Sequence, residues 1–185
     1  MLDLALARPL EAPAPRVLAL DGRSGSGKTV LADRVVAAAT DRGLRTALVH
    51  MDDLYEGWEG LPGSAPRLAG LLAPVAEGRT GTCPRWDWHA GTWQGEVVVP
   101  PVDLVVVEGV GSGTRLLDGL RTLLVWLEAP VPVRRERGLA RDGDAFAPWW
   151  DAWAAAEEAH LAAEDTTARA DVLVDGTGSA APVVR

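Results

Sequence analysis

Gly22-Arg23-Ser24-Gly25-Ser26-Gly27-Lys28-Thr29 follows a short apolar run, Arg16 to Asp21, and precedes a stretch in which Leu31, Val35 and Ala39 recur at helical spacing. A glycine-rich turn between a strand and a helix lets the backbone wrap round a phosphate chain with its amides inward, at the helix end whose dipole favours anions. The spacing and context are those of the phosphate-binding P-loop. Gly22, Ser24, Gly25, Ser26 and Gly27 supply the cradle, Lys28 is placed to bridge terminal phosphates, and the Thr29 hydroxyl is offered to Mg²⁺. Composition sharpens the reading: the chain has a single Lys beside 17 Arg, and it stands where the pattern needs a lysine.

Four more apolar runs of strand length follow: Thr46 to His50, Leu104 to Glu108, Leu123 to Leu127 and Asp171 to Asp175. Short two-sided apolar runs alternating with helical segments predict an α/β fold whose parallel sheet is covered on both faces. Met1 to Pro15, with three prolines and little periodicity, reads as a tail, and residues 16–185 as one P-loop domain. Within it, about 54–100 is a less regular insert, where Arg67 to Glu77 predicts a helix and Thr82–Trp88 with Gly95–Val99 a hairpin at the sheet edge. Val131 to Arg141 and Pro148 to Glu164 read as helices broken at Gly143, and about 131–145 as a helical lid.

The 185 residues are 48% hydrophobic, enough for one sizeable core, and no apolar run approaches the roughly 20 residues of a spanning helix. A net charge of −8 speaks against a nucleic-acid or anionic-membrane binder, whose partners demand a basic face. Cys83 is the only cysteine, so no internal disulfide forms and a reducing, cytoplasmic setting is expected, with no basic-then-apolar export signal at the start. A homo-oligomer is left open.

Acidic groups at the C-terminal ends of parallel strands stand where open α/β folds bind ligands. After the second run comes His50-Met51-Asp52-Asp53-Leu54-Tyr55, where Asp52 can orient a hydroxyl and take its proton, with Asp53 supporting the metal or acceptor. Glu108 ends the third run and, with Thr29 and Asp52, is a candidate for the Mg²⁺ shell. Arg134, Arg137 and Arg141 share one side of a helix in an otherwise acidic chain, which suits neutralising charge as a phosphoryl group moves. Arg134 and Arg137 are read as binding ATP, Arg137 and Arg141 as catalytic beside Lys28 and Asp52. Trp86-Asp87-Trp88-His89 could hold a planar acceptor, whereas Trp149, Trp150 and Trp153 read as helix packing. His50 and His160 read as structural.

The series GRSGSGKT, MDDLY, PRWDW, VVVEG and RRERGLARD resembles, in order and spacing, the uridine kinase and phosphoribulokinase family of P-loop kinases, in a compact bacterial branch. The resemblance spans about Arg16 to Gly176. It implies a three-layer kinase fold with a five-stranded parallel sheet of order 2-3-1-4-5, ATP with Mg²⁺ as donor, and transfer to a hydroxyl of a small acceptor, a pyrimidine nucleoside first. By the same resemblance Asp52 matches the general base, and Tyr55, Trp86, Asp87, Trp88 and His89 fall in acceptor-contacting stretches. One departure stands out: where the family carries a ribose-gripping Phe-Asp-His-Pro segment, Glu56 to Gly63 reads EGWEGLPG. A kinase of a non-nucleoside (an antibiotic, sugar or vitamin precursor) shares every motif, and a nucleotide-dependent switch shares the P-loop alone. The guanine-specifying Asn-Lys-x-Asp of GTPases is missing, for the chain has no Asn.

Overall fold

The computed structural model describes residues 1–9 and 14–185. In chain order its strands are β1 (Arg16–Asp21), β2 (Thr46–His50), β3 (Gly81–Asp87), β4 (Thr92–Val99), β5 (Leu104–Glu108), β6 (Leu123–Glu128), β7 (Val172–Asp175) and β8 (Val183–Val184). The main sheet runs β2-β5-β1-β6-β7-β8, parallel from β2 to β7. The five parallel strands, counted in chain order, therefore stand 2-3-1-4-5, as expected. Only β8 was not anticipated: it adds two exposed valines antiparallel to β7 at the edge, a segment too short to carry a pattern.

Period-two alternation splits the core between the two faces. Leu18, Leu20, Leu104, Val106, Leu123 and Val125 bury against α2 (Lys28–Asp41), while Val17, Val49, Val105 and Val107 bury toward α3 (Leu61–Ala76) and α5 (Trp150–Glu164). Each such side chain contributes about 1.5–3 kcal/mol by leaving water. The remaining helices are α1 (Leu2–Ala7), α4 (Val131–Asp142) and α6 (Thr166–Arg169).

Three expectations need correction. Within the expected tail, residues 2–7 fold as α1, because Leu2 and Ala5 bury in the α2-side core and Arg8 pairs with Asp171 at 2.7 Å; residues 10–13 lie outside the described residues. The helix expected from Arg67 starts six residues earlier and carries Pro66 and Pro74 inside it, since burial of Leu61, Ala65, Leu68 and Leu72 outweighs the lost backbone bonds. The hairpin exists, but as a two-stranded sheet of its own, with Cys83 and Val99 packed in the α3-side core instead of on the sheet edge.

Candidate active site

Parallel register brings the site together. His50 of β2 and Leu20 of β1 both stand opposite Glu108 of β5, so the P-loop, the turn after β2 and the end of β5 open onto one sheet edge. The P-loop leaves β1 through Asp21, a fully buried carboxylate that accepts from the amides of Gly22, Gly111 and Gly113 at 2.7–3.0 Å. It thereby ties the loop to the turn that follows β5. At Gly25 (φ +78°) a Cβ would lie 2.1 Å from the Arg134 carbonyl, so α4 presses on the loop with no room for a side chain. At Gly109 (φ +130°) a Cβ would meet Met51 Cβ at 2.5 Å, which is how the turn bearing Asp52 comes up against the end of β5.

A cleft of about 360 Å³ lies over the loop, bounded by Ser24, Gly25, Gly27, Lys28 and Thr29 on one side and Asp52, Glu108, Arg137 and Arg141 on the other. Lys28 Nζ donates to the Arg23 carbonyl at 3.1 Å across the loop. Thr29 Oγ1 donates to Glu108 Oε2 at 3.3 Å, and His50 Nδ1 meets Glu108 Oε1 at 2.7 Å. Burial pushes the Glu108 carboxyl up, but the His50 bond and the charge of Lys28 outweigh it and leave it below its usual range; the same bond raises His50. The histidine read as structural is thus the direct partner of the candidate metal carboxylate. Its sequence signal was its place at a strand end in the register position of Glu108, legible only once strand order is known.

A second cavity, of about 500 Å³, shares Ser24, Asp52 and Arg141 with the cleft and continues past Tyr55, Trp88 and His89. Its wall also includes Trp58, Phe146 and Trp153, which were not foreseen as site residues. Trp58 stacks on Phe146 with centroids 5.0 Å apart and lies 4.7 Å from Trp88; Tyr55 meets Trp153 edge-on at 5.1 Å. Tyr55 itself is buried, its hydroxyl donating to the Val110 carbonyl at 2.7 Å. Trp88 Nε1 donates to the Asp52 carbonyl at 2.9 Å, fastening the hairpin to the turn that holds the carboxylate.

Asp52 stands where the two spaces join. Half of its side-chain surface remains open to the cleft, Arg141 Nη2 is 3.8 Å from Oδ2, and the surrounding walls raise its carboxyl above the ordinary value, against the pull of Arg141. Arg141 is also gripped by Asp142, which accepts from Nε and Nη2 at 2.7–3.0 Å.

Four expected site residues sit elsewhere. Arg134 is buried and donates to the carbonyls of Ala129 at 3.0 Å and Ser24 at 3.4 Å, so it holds the loop from behind instead of facing the cleft. Trp86 pairs edge-on with Trp93 across the hairpin, 5.1 Å between centroids, outside both cavities. The Asp87 carboxylate accepts from the amides of His89 and Ala90 at 2.9 Å, the local turn chemistry of a short polar side chain. Asp53 is half-buried outside both cavities, its carboxyl raised by burial.

No family model matches the chain, and no curated protein is similar to it in sequence. Solved structures are similar in fold. A structure of a possible uridine kinase from Bacillus stearothermophilus superposes with TM-score 0.66 at 23% identity, over 94% of this chain and 95% of that one. The D-glycerate 3-kinase of Cryptococcus neoformans superposes with TM-score 0.61 at 15% identity, over 99% and 94%. The fold is that of the P-loop kinases. In this P-loop kinase fold the strand order and the loop after β1 stand where the resemblance in sequence implied.

The donor set suits the expected cofactor. Among the described residues no three His, Cys, Asp or Glu side chains gather into a ready metal cage. Mg²⁺ needs none, since it binds through one or two protein oxygens together with phosphate oxygens and water. Thr29 Oγ1 and Glu108 Oε2 offer such a pair, and Ser26 Oγ is buried in the loop without a partner among the described residues.

Proposed function

We propose that the protein is an ATP- and Mg²⁺-dependent kinase that transfers the γ-phosphoryl group to a hydroxyl of a small planar acceptor, a pyrimidine nucleoside such as uridine or cytidine first. One observation carries the reading: the cleft over the P-loop and the aromatic cavity share Ser24, Asp52 and Arg141, so a phosphate chain in one and a hydroxyl in the other would meet at a single carboxylate and a single guanidinium. The loop amides and Lys28 would hold the phosphates. A further cavity of about 520 Å³ continues from Ser26, Gly27 and Arg137 over Asp175 to Gly178 and has room for the donor's nucleoside.

In this reading Asp52 orients the acceptor hydroxyl and takes its proton as the O–P bond forms. Its raised carboxyl is a better base than an aspartate at the ordinary value. Arg137 and Arg141 face the charge that builds on the transferring group. Thr29 and Glu108, the latter steadied by His50, would hold Mg²⁺, which supplies charge neutralisation on the phosphate oxygens. Trp88 and Trp58 would stack on the acceptor ring, with His89 at its polar edge.

The two similar kinases are named for uridine and for D-glycerate, so the fold leaves the acceptor open. The aromatic wall favours a flat ring. Asp142, the cavity's other carboxylate, is spent on Arg141, which leaves no spare acid to grip a vicinal diol. Steady-state kcat/KM for uridine, cytidine and their 2′-deoxy forms tests this. The expected ribose preference is small, because no buried partner of the 2′-hydroxyl is left unpaired in its absence. A preference above about 10³, the size a dedicated hydrogen-bonding pocket gives, would refute weak discrimination, and no turnover of any nucleoside would favour a non-nucleoside acceptor.

A further inference from the structure

α5 buries Trp150, Trp153, Glu157 and Leu161, an i, i+3, i+7, i+11 stripe in which one member is a carboxylate. Glu157 is 1% exposed, and a buried carboxylate is costly unless its oxygens are well bonded. One of its bonds stays within α5 and the other leaves it for the P-loop. Oε1 accepts from the Ser24 amide at 2.8 Å and from Trp153 Nε1 at 2.8 Å, and the same indole N–H lies 2.9 Å from Ser24 Oγ. With the Ser24 carbonyl accepting from Arg134 at 3.4 Å, every polar group of this P-loop residue is held from outside the loop. Ser24 is also one of the three residues bounding both the cleft and the aromatic cavity, and Trp153 is part of the aromatic wall.

From this geometry we infer that Glu157 is a positioning residue: through Ser24 and Trp153 it fixes the P-loop to the wall of the acceptor cavity, so that the two substrate spaces keep one relative geometry. It touches neither cavity's contents. Without it, the Ser24 amide loses its buried acceptor, and the bond from Trp153 to Ser24 Oγ alone remains of these ties between α5 and Ser24. The inference rests on the P-loop binding a nucleotide's phosphates, as proposed above.

Calorimetric titration of the full chain with MgADP tests it, with melting temperature recorded for each variant. Because both bonds converge on one oxygen, Glu157→Gln can keep them, and its affinity is expected within about threefold of wild type, whereas Glu157→Ala should bind about tenfold more weakly or worse, as loss of a buried hydrogen-bond acceptor predicts. Leu161→Ala, in the same stripe one turn further on and away from Ser24, controls for a loosened helix and should keep wild-type affinity despite a lower melting temperature. If Glu157→Ala proves too unstable to titrate, Trp153→Phe, which removes one donor and keeps a ring, should weaken MgADP measurably. Equal affinity in wild type and Glu157→Ala, or equal weakening in Leu161→Ala, overturns the positioning role alone. Absence of MgADP binding by the wild-type protein overturns the nucleotide reading and the inference with it.

Discussion

Asp52 and His50 lie two residues apart on one strand end and do different things to the same cleft. If Asp52 takes the acceptor proton, Asp52→Asn should lower kcat by about 10² or more while sparing ATP affinity, on the scale of general-base contributions. Since the walls around it raise its carboxyl above the usual 3.8, turnover of the wild type should fall on the acid side at a pH above that value, a limb missing from Asp52→Asn. A matching collapse of ATP affinity would make Asp52 a metal ligand first. His50 acts on stability. Its pairing with Glu108 raises it above 6.5 and helps lower Glu108 below 4.5. The histidine's contribution is therefore fully present below about pH 6.5 and lost as pH rises through its higher folded-state value; that of Glu108 is present above about 4.5 and lost as pH falls through its lower one. Melting curves of wild type and His50→Gln should thus differ most between those two values and converge as pH rises through the histidine's higher folded-state value. A gap that does not change with pH would show that the pair is not charged in the folded protein.

Among the elements, α4 carries two arginines one turn apart with opposite tasks. Arg134→Ala should destabilise by about 1–3 kcal/mol, the worth of hydrogen bonds from a charged group to buried carbonyls. Arg137→Ala, whose guanidinium reaches the Gly176 carbonyl at the mouth of the cleft, should leave the melting temperature near wild type and depress turnover more than ATP affinity. The reverse pattern would exchange their roles. The sequence placed both on one helical side, and helical spacing could say no more: which of them faces the cleft depends on how α4 lies against the P-loop. The same limit applies to the tryptophans. Trp86 and Trp88, both in PRWDWH, looked equivalent, yet β3 ends at Asp87 and the turn after it sends Trp88 to Asp52 while Trp86 pairs with Trp93. Trp58, Phe146 and Trp153 come from three separate segments, and only tertiary packing gathers them. What local chemistry dictates, the P-loop and the acidic strand ends, was legible; what distant packing dictates was not.

On the scale of the whole molecule, apolar runs alone foretold five parallel strands and their covering helices, because a strand buried on both faces has no room for polar residues. They did not foretell that residues 2–7 would close one face. Deleting residues 1–8 removes the burial of Leu2, worth about 1.5–3 kcal/mol, and the Arg8–Asp171 pair. The melting temperature should drop by roughly 4–10 °C for a chain of this size, with activity at 25 °C retained, since α1 lies on the face away from the aromatic cavity. Loss of activity without loss of stability would connect α1 to the site. The central claim is that donor and acceptor meet at Asp52 and Arg141, and the most direct measurement is the stoichiometry of products from ATP, Mg²⁺ and uridine, followed by ³¹P NMR. The account predicts one phosphorylated uridine for each ADP, abolished in Lys28→Ala at an unchanged melting temperature; ADP matched by inorganic phosphate, at a rate indifferent to uridine or any other hydroxyl acceptor, would contradict it.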